Sequence, residues 1–216
     1  MRLRSIINNA RNRELRQLSS KDKTDEVLVG YINLAMLALY SRFQLRTEEI
    51  VLNLKSGKTV YKLDGTDPDV YKEGMLFEDN DVMAIIKAFD EEKELSINKG
   101  NDPLSIFTIS YDTVQVPFAS TGEHIGLIYR ASPIEVEYED DGEGNAVDLD
   151  VKLPPQMLEA MLHHIGYSAY GSIDGNVQPE TTTHLARFER ACDRLEILGL
   201  IPQDTIDMDT DRKGFL

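Results

Sequence analysis

Three histidines, His163, His164 and His184, carry most of the chemical potential of this chain. With Asp174 or Glu180 beside them they would form an imidazole–carboxylate donor set suited to a divalent metal. Their spacing argues against it. Two imidazoles on one helix converge on an ion when they stand four residues apart, whereas His163 and His164 are adjacent and point apart. They are expected to be partly exposed helix residues, and neither a metal nor a cofactor is assigned. Asp207-x-Asp209-x-Asp211 imitates the opening of a calcium loop, but its glycine, Gly214, comes too late and no closing glutamate follows. The acidic run from Asp140 to Asp150 lacks the register as well. Cys192 falls on an apolar helical stripe, where a thiol is packing and not a nucleophile. No phosphate-cradling glycine loop, nucleophile elbow or paired-cysteine zinc spacing is present. The chain reads as a non-enzyme.

The histidines belong to a predicted hairpin of helices between Leu153 and Gly199. Pro154 and Pro155 suit a first helical turn, where a missing N–H costs nothing. Leu158, Met161, Leu162, Ile165 and Ala169 repeat at helical spacing, and Gly171 with Asp174-Gly175-Asn176 stops the helix. Pro179-Glu180 opens the second helix, whose stripe is Leu185, Phe188, Cys192, Leu195 and Leu198. Such a hairpin needs a second helical pair to close a core. The N-terminal region supplies it. Arg2 to Leu18 shows helical periodicity through Leu3, Ile6, Ile7, Ala10, Glu14, Leu15 and Leu18. After Thr24 or Asp25 as N-cap, a helix to about Leu45 carries Leu28, Tyr31, Ile32, Ala35, Leu39 and Phe43, widened by Leu34, Leu37 and Ala38.

Between the pairs the pattern changes to alternation. Ile50, Leu52 and Leu54, then Val60 and Leu63, read as strands about a turn at Ser56-Gly57-Lys58. Val82–Phe89, Glu94–Asn98, Ser105–Pro117 and Glu123–Tyr129 follow, with Ser105–Tyr111 the strongest, and Ile134–Tyr138 as a further candidate. Asp64 to Asp81 reads as a long polar loop, or one short helix over Val70 to Met75. The predicted class is α+β: a four-helix bundle from the N- and C-terminal pairs, an inserted small antiparallel β-sandwich or barrel, and an extended C-terminal arm. Residues 1–46 and 150–202 are assigned to the bundle, 47–149 to the β domain with its acidic linker, and 203–216 to the arm.

The chain has 216 residues, enough to bury a core without staples, and one cysteine, which points to a reducing compartment. No secretory signal opens it, and its longest apolar stretch, Ile32 to Tyr40, is far short of the roughly 20 residues of a bilayer span, so a soluble protein without a membrane partner is expected. A formal net charge of −15 excludes a general nucleic-acid binder. The charge is uneven, because Arg2, Arg4, Arg11, Arg13 and Arg16 crowd the N-terminal end of an acidic body. That polarity suits docking to a partner or to a second copy. Ile206 and Met208 alternate with aspartates and Phe215-Leu216 adds apolar groups, a period-two arm that can add a strand to a partner or fill its pocket.

Ile6-Ile7-Asn8-Asn9-Ala10-Arg11, the run Asp25 to Ala35, Leu153-Pro154, Tyr167 and Ala186-Arg187-Phe188 together resemble tailed-phage head-to-tail adaptors. These are also called head-completion proteins or, in short-tailed phages, tail tubular protein A. The resemblance implies a virion protein at the head–tail interface, assembled in the host cytoplasm. It implies a ring of about twelve copies joined by heterologous contacts. The ring would sit between the portal protein and the tail nozzle or other tail proteins, closing the filled head. Carried onto this chain, Ile206, Met208, Phe215 and Leu216 would be portal contacts, and the five arginines ring or portal contacts. Genomic DNA would pass without specific binding, since a negative lumen repels its backbone. The alternatives are a monomeric scaffolding module, or a metal-dependent enzyme using the histidine-bearing helix pair.

Overall fold

Helix α2, Asp25–Arg42, shows how local chemistry sets an element. The Thr24 hydroxyl accepts the Val27 N–H at 3.4 Å, Asp25 and Glu26 meet the positive end of the helix dipole, and Arg42 meets the negative end. Phe43 is extended and ends it, a turn earlier than predicted. The computed structural model describes residues 1–90, 93–117, 123–142, 145–173 and 179–199. Two compact units emerge, Met1–Gln44 with Pro133–Leu216, and Leu45–Ser132. The fold is mixed α+β, with four helices and antiparallel sheets among the described residues.

In the first unit α1, Leu3–Asn9, widens into π turns over Ala10–Glu14. Pro155–Met157 forms a 3-10 turn that leads into α3, Leu158–Ile173, and α4 spans Pro179–Ile197. Helix α3 touches α1, α2 and α4. Its predicted stripe is buried at Met161, Leu162, Ile165 and Ala169. On α4 the register differs from the prediction. Leu185 and Leu198 are exposed, and the inner face runs through Thr181, His184, Phe188, Cys192 and Leu195. The reason lies on α3, where Gly166 leaves a notch: a Cβ there would stand 2.6 Å from His184 Nδ1. Across the other side, Arg42 of α2 donates to Glu196 at 2.7 Å, Asp193 at 2.6 Å and Glu189 at 2.5 Å, one carboxylate face of α4.

The acidic segment after Pro133 packs within this same unit. Asp141 N donates to Asn145 O and Val147 N to Glu139 O. Leu3 N then donates to Leu149 O at 2.9 Å and Val151 N to Met1 O at 2.6 Å, so the chain start lies antiparallel to residues 149–151. Residues 134–138 form no strand. Asn33 of α2 holds Val136 by both backbone groups instead, at 3.0 and 2.9 Å.

The second unit holds nine strands among its described residues: β1 Thr47–Asn53, β2 Val60–Lys62, β3 Val70–Lys72, β4 Met75–Leu76, β5 Val82–Phe89, β6 Glu94–Leu95, β7 Phe107–Ser110, β8 Thr113–Gln115 and β9 His124–Ala131. One sheet runs β4-β3-β1-β9-β5-β6 and the other β2-β8-β7. Both contribute to one cluster that includes Leu52, Tyr61, Val114 and Tyr129. Residues 64–69 and 77–81 are loop, as expected, but Val70 to Leu76 is neither loop nor helix, because β3 and β4 form a hairpin over Glu73 and Gly74. Both adopt positive φ, 51° and 80°, the conformation a two-residue hairpin turn requires. The stretch expected to be the strongest strand holds β7, an edge strand that pairs with β8 through a turn at Tyr111-Asp112. The central strand is β9, paired on both sides. Its Gly126 lies under the Phe89 ring, where a Cβ would come within 2.4 Å.

Candidate functional site

The π turns at the end of α1 set one carboxylate between two histidines. Leu15 N donates to Ala10 O at 3.0 Å, a bond five residues back. In an unbroken α-helix Arg13 and Glu14 would stand over Ala10. The extra residue puts Leu15 in that buried place and leaves Glu14 facing α3 and α4. Glu14 Oε2 lies 3.4 Å from His163 Nδ1 on α3 and 3.3 Å from His184 Nδ1 on α4. One donor atom from each of the three residues lies within 4.8 Å of the others.

The surroundings lock this arrangement. His184 is buried, seated in the Gly166 notch, and its ring stacks on Tyr170 with centroids 5.3 Å apart and planes 12° apart. The Tyr170 hydroxyl donates to the Glu14 carbonyl at 3.2 Å, tying the π turn to α3. The His163 contact holds the Glu14 carboxyl below its ordinary value. Burial opposes that shift, and the charges of His163, His184 and Arg187 reinforce it.

The expectation of partly exposed histidines holds for His163 and His164, which are half-buried, and is corrected for His184, which is buried. His164 stands apart from the cluster, edge-on to Tyr167 and Phe188 at 5.6 and 5.0 Å. Burial pushes its imidazole to a lower pKa than usual, with Glu189 opposing. Asp174 and the side chain of Glu180 lie outside the described residues. The carboxylate that joins the histidines is Glu14, which periodicity had placed among the apolar positions of the first helix. A charged residue on an otherwise apolar stripe was the available signal. Cys192 is fully buried, and burial raises its thiol pKa to about 12, which makes it inert packing.

The five arginines divide. Arg4 pairs with Asp141 at 2.5 Å and donates to Ala146 O at 2.8 Å; Arg2 pairs with Asp150 at 3.8 Å. Arg11 binds Asp25 and the Lys23 carbonyl, and Asp25 in turn accepts the Ala146 N–H at 2.6 Å. The basic start of the chain thus engages its own acidic segment. Arg13 and Arg16 are exposed, with Arg16 donating to the nearby Asn12 carbonyl. Ile206, Met208, Phe215 and Leu216 lie outside the described residues. On α2, Leu34 and Leu37, which widen the predicted apolar stripe, are 50% and 46% exposed. In the β unit, Met75 of the edge strand β4 and Tyr111 of the β7–β8 turn are also exposed, at 69% and 70%.

Compared with known protein families, residues 1–212 match the SU10 adaptor protein. The chain belongs to the SU10 adaptor protein family. That is a family of phage head-to-tail adaptors, and the match runs through both compact units. No curated protein matches the chain in sequence. As an SU10 adaptor the chain is a structural virion protein that acts between portal and tail proteins. No described helix is long and apolar enough to cross a membrane.

Proposed function

We propose that this SU10 adaptor assembles as a ring of about twelve copies on the portal, closes the filled head and carries the tail. The observation that supports this reading is the family match over nearly the whole length, which leaves little of the chain for another task. The four helices act together as a bundle that forms the body of each subunit. Leu34 and Leu37 on α2 then pack against a neighbouring copy, since solvent-facing leucines three residues apart on one helix are an unpaired apolar strip. Arg13 and Arg16 remain for ring or portal contacts, while Arg2, Arg4 and Arg11 are engaged within the chain. Residues 203–216 reach the portal through Ile206, Met208, Phe215 and Leu216. The opposite end of the ring receives the nozzle or other tail proteins. The net charge of −15 lets DNA slide through the lumen without adhering. The protein performs no catalysis in this role.

Mass measurement of the purified chain, alone and mixed with portal rings, tests the proposal. A ring-sized complex on the portal is the expected result, and a chain that stays monomeric with portal present overturns it in favour of a scaffolding module. Removing residues 203–216 should leave the fold intact and abolish portal binding; unchanged assembly after truncation removes the arm from the proposal.

A further inference from the structure

The geometry points to a metal site that an adaptor role does not call for: Glu14 Oε2, His163 Nδ1 and His184 Nδ1 are three protein ligands for one Zn2+. Donors at about 2.0–2.1 Å from zinc at the corners of a tetrahedron stand about 3.3–3.4 Å from one another. The two carboxylate–imidazole separations are 3.4 and 3.3 Å. An N–H···O hydrogen bond is shorter, about 2.7–3.2 Å. One carboxylate oxygen therefore stands nearly equidistant from two imidazole nitrogens, too far for a good bond to either. His163 Nδ1 is buried and makes no hydrogen bond among the described residues.

Three further observations fit a built site. The His184 ring is fixed on both sides, by the Gly166 notch and by the Tyr170 ring. Tyr170 also holds the Glu14 backbone, the kind of outer support that orients a ligand before the ion arrives. A surface cleft of ≈ 390 Å³ opens onto Glu14 and His163, beside Arg13 and Glu159. It supplies a route of entry and room for water as a fourth donor. Imidazole and carboxylate together favour zinc over calcium or magnesium, which prefer all-oxygen shells. The ion would join the π-widened end of α1 to α3 and α4, three elements from the two ends of the chain. Its role is that of a clamp.

The full chain, purified from zinc-supplemented cultures, is analysed for metal. It is then stripped and titrated with Zn2+ against a chromophoric chelator, and with Co2+ by visible absorption. One equivalent of zinc and an intense tetrahedral cobalt spectrum are expected. Glu14→Gln, which preserves shape, and His163→Ala should each weaken binding by at least about tenfold, while His124→Ala on β9 should not. Circular dichroism confirms that each variant is folded. Zinc should also slow amide exchange over residues 10–15 in the parent chain and not in Glu14→Gln. Background zinc with no cobalt spectrum overturns the site, as does unchanged affinity in folded Glu14→Gln.

Discussion

Two polar clusters, one in each compact unit, are built to different standards. In the β unit the Tyr129 hydroxyl donates to Asp81 at 2.8 Å, and Arg46 pairs with Asp81 at 3.2 Å and with Glu48 at 2.8 Å. Arg46 also donates to the Ser132 carbonyl at 3.0 Å, and Lys72 donates to Asp79 at 2.9 Å. Burial and the neighbouring Asp81 carboxylate drive the Tyr129 hydroxyl far above its ordinary pKa, so it remains a donor at any working pH. Opposite charges alternate at hydrogen-bond distance and the group is complete. The Glu14–His163–His184 cluster is looser, one carboxylate oxygen shared between two distant nitrogens. A buried network satisfied from within holds a unit together by itself; a loose one has room for a further component.

Breaking the complete network should be the more damaging change. Asp81→Ala leaves Arg46 and the Tyr129 hydroxyl without their shared acceptor, and a loss of about 3 kcal/mol is expected in denaturant unfolding. Gly166→Ala comes next, at about 2 kcal/mol, because its Cβ would displace the His184 ring from a close-packed notch. Hydrogen exchange would place that loss in the helical unit, which separates it from the first. Glu14→Gln in zinc-free protein should cost less than about 1 kcal/mol, since the carboxylate makes no short bond. A cost as large as that of Asp81→Ala would erase the contrast between the clusters.

A smaller effect concerns acid. Asp67 is buried, which by itself would raise its pKa, but the Lys58 ammonium at 2.5 Å and the N–H groups of Asp69 and Lys62 outweigh burial and hold it below its ordinary value of 3.8. A depressed folded-state pKa contributes stability that is present above the unfolded value and lost as pH falls through the folded one. The β unit should therefore weaken below about pH 4, and Asp67→Asn should flatten that acid limb while lowering stability at neutral pH. Melting temperatures measured across pH would show both.

Short-range signals were readable wherever one turn of chain decided the outcome. Thr24 caps α2, Pro155 opens the turn into α3, Pro179 begins α4, and Ile50, Leu52 and Leu54 alternate into the core as predicted. The family was legible from short motifs, and the match over residues 1–212 agrees with it. The misreadings have specific causes. Glu73-Gly74 gives no hairpin signal in the sequence because the strands it joins, Val70–Lys72 and Met75–Leu76, are too short to display alternation. The β-branched and aromatic content of Ser105–Tyr111 marks a strand, and β7 lies within it, at a sheet edge. Such content describes a fit to a pleated surface and not a place in the middle of a sheet.

By itself the sequence determined the helical stretches, the Thr24 cap, the acidic balance and the family, since each follows from neighbours a few residues apart or from totals along the chain. Tertiary structure alone decided that α4 turns His184 inward in place of Leu185, because the deciding atom is the one Gly166 lacks on another helix. It alone brought Glu14 to two histidines from the far end of the chain, through one extra residue in a helical turn. Periodicity assumes a uniform helix against an anonymous core; a notch and a widened turn violate both assumptions, and those are the two features from which the cluster is made.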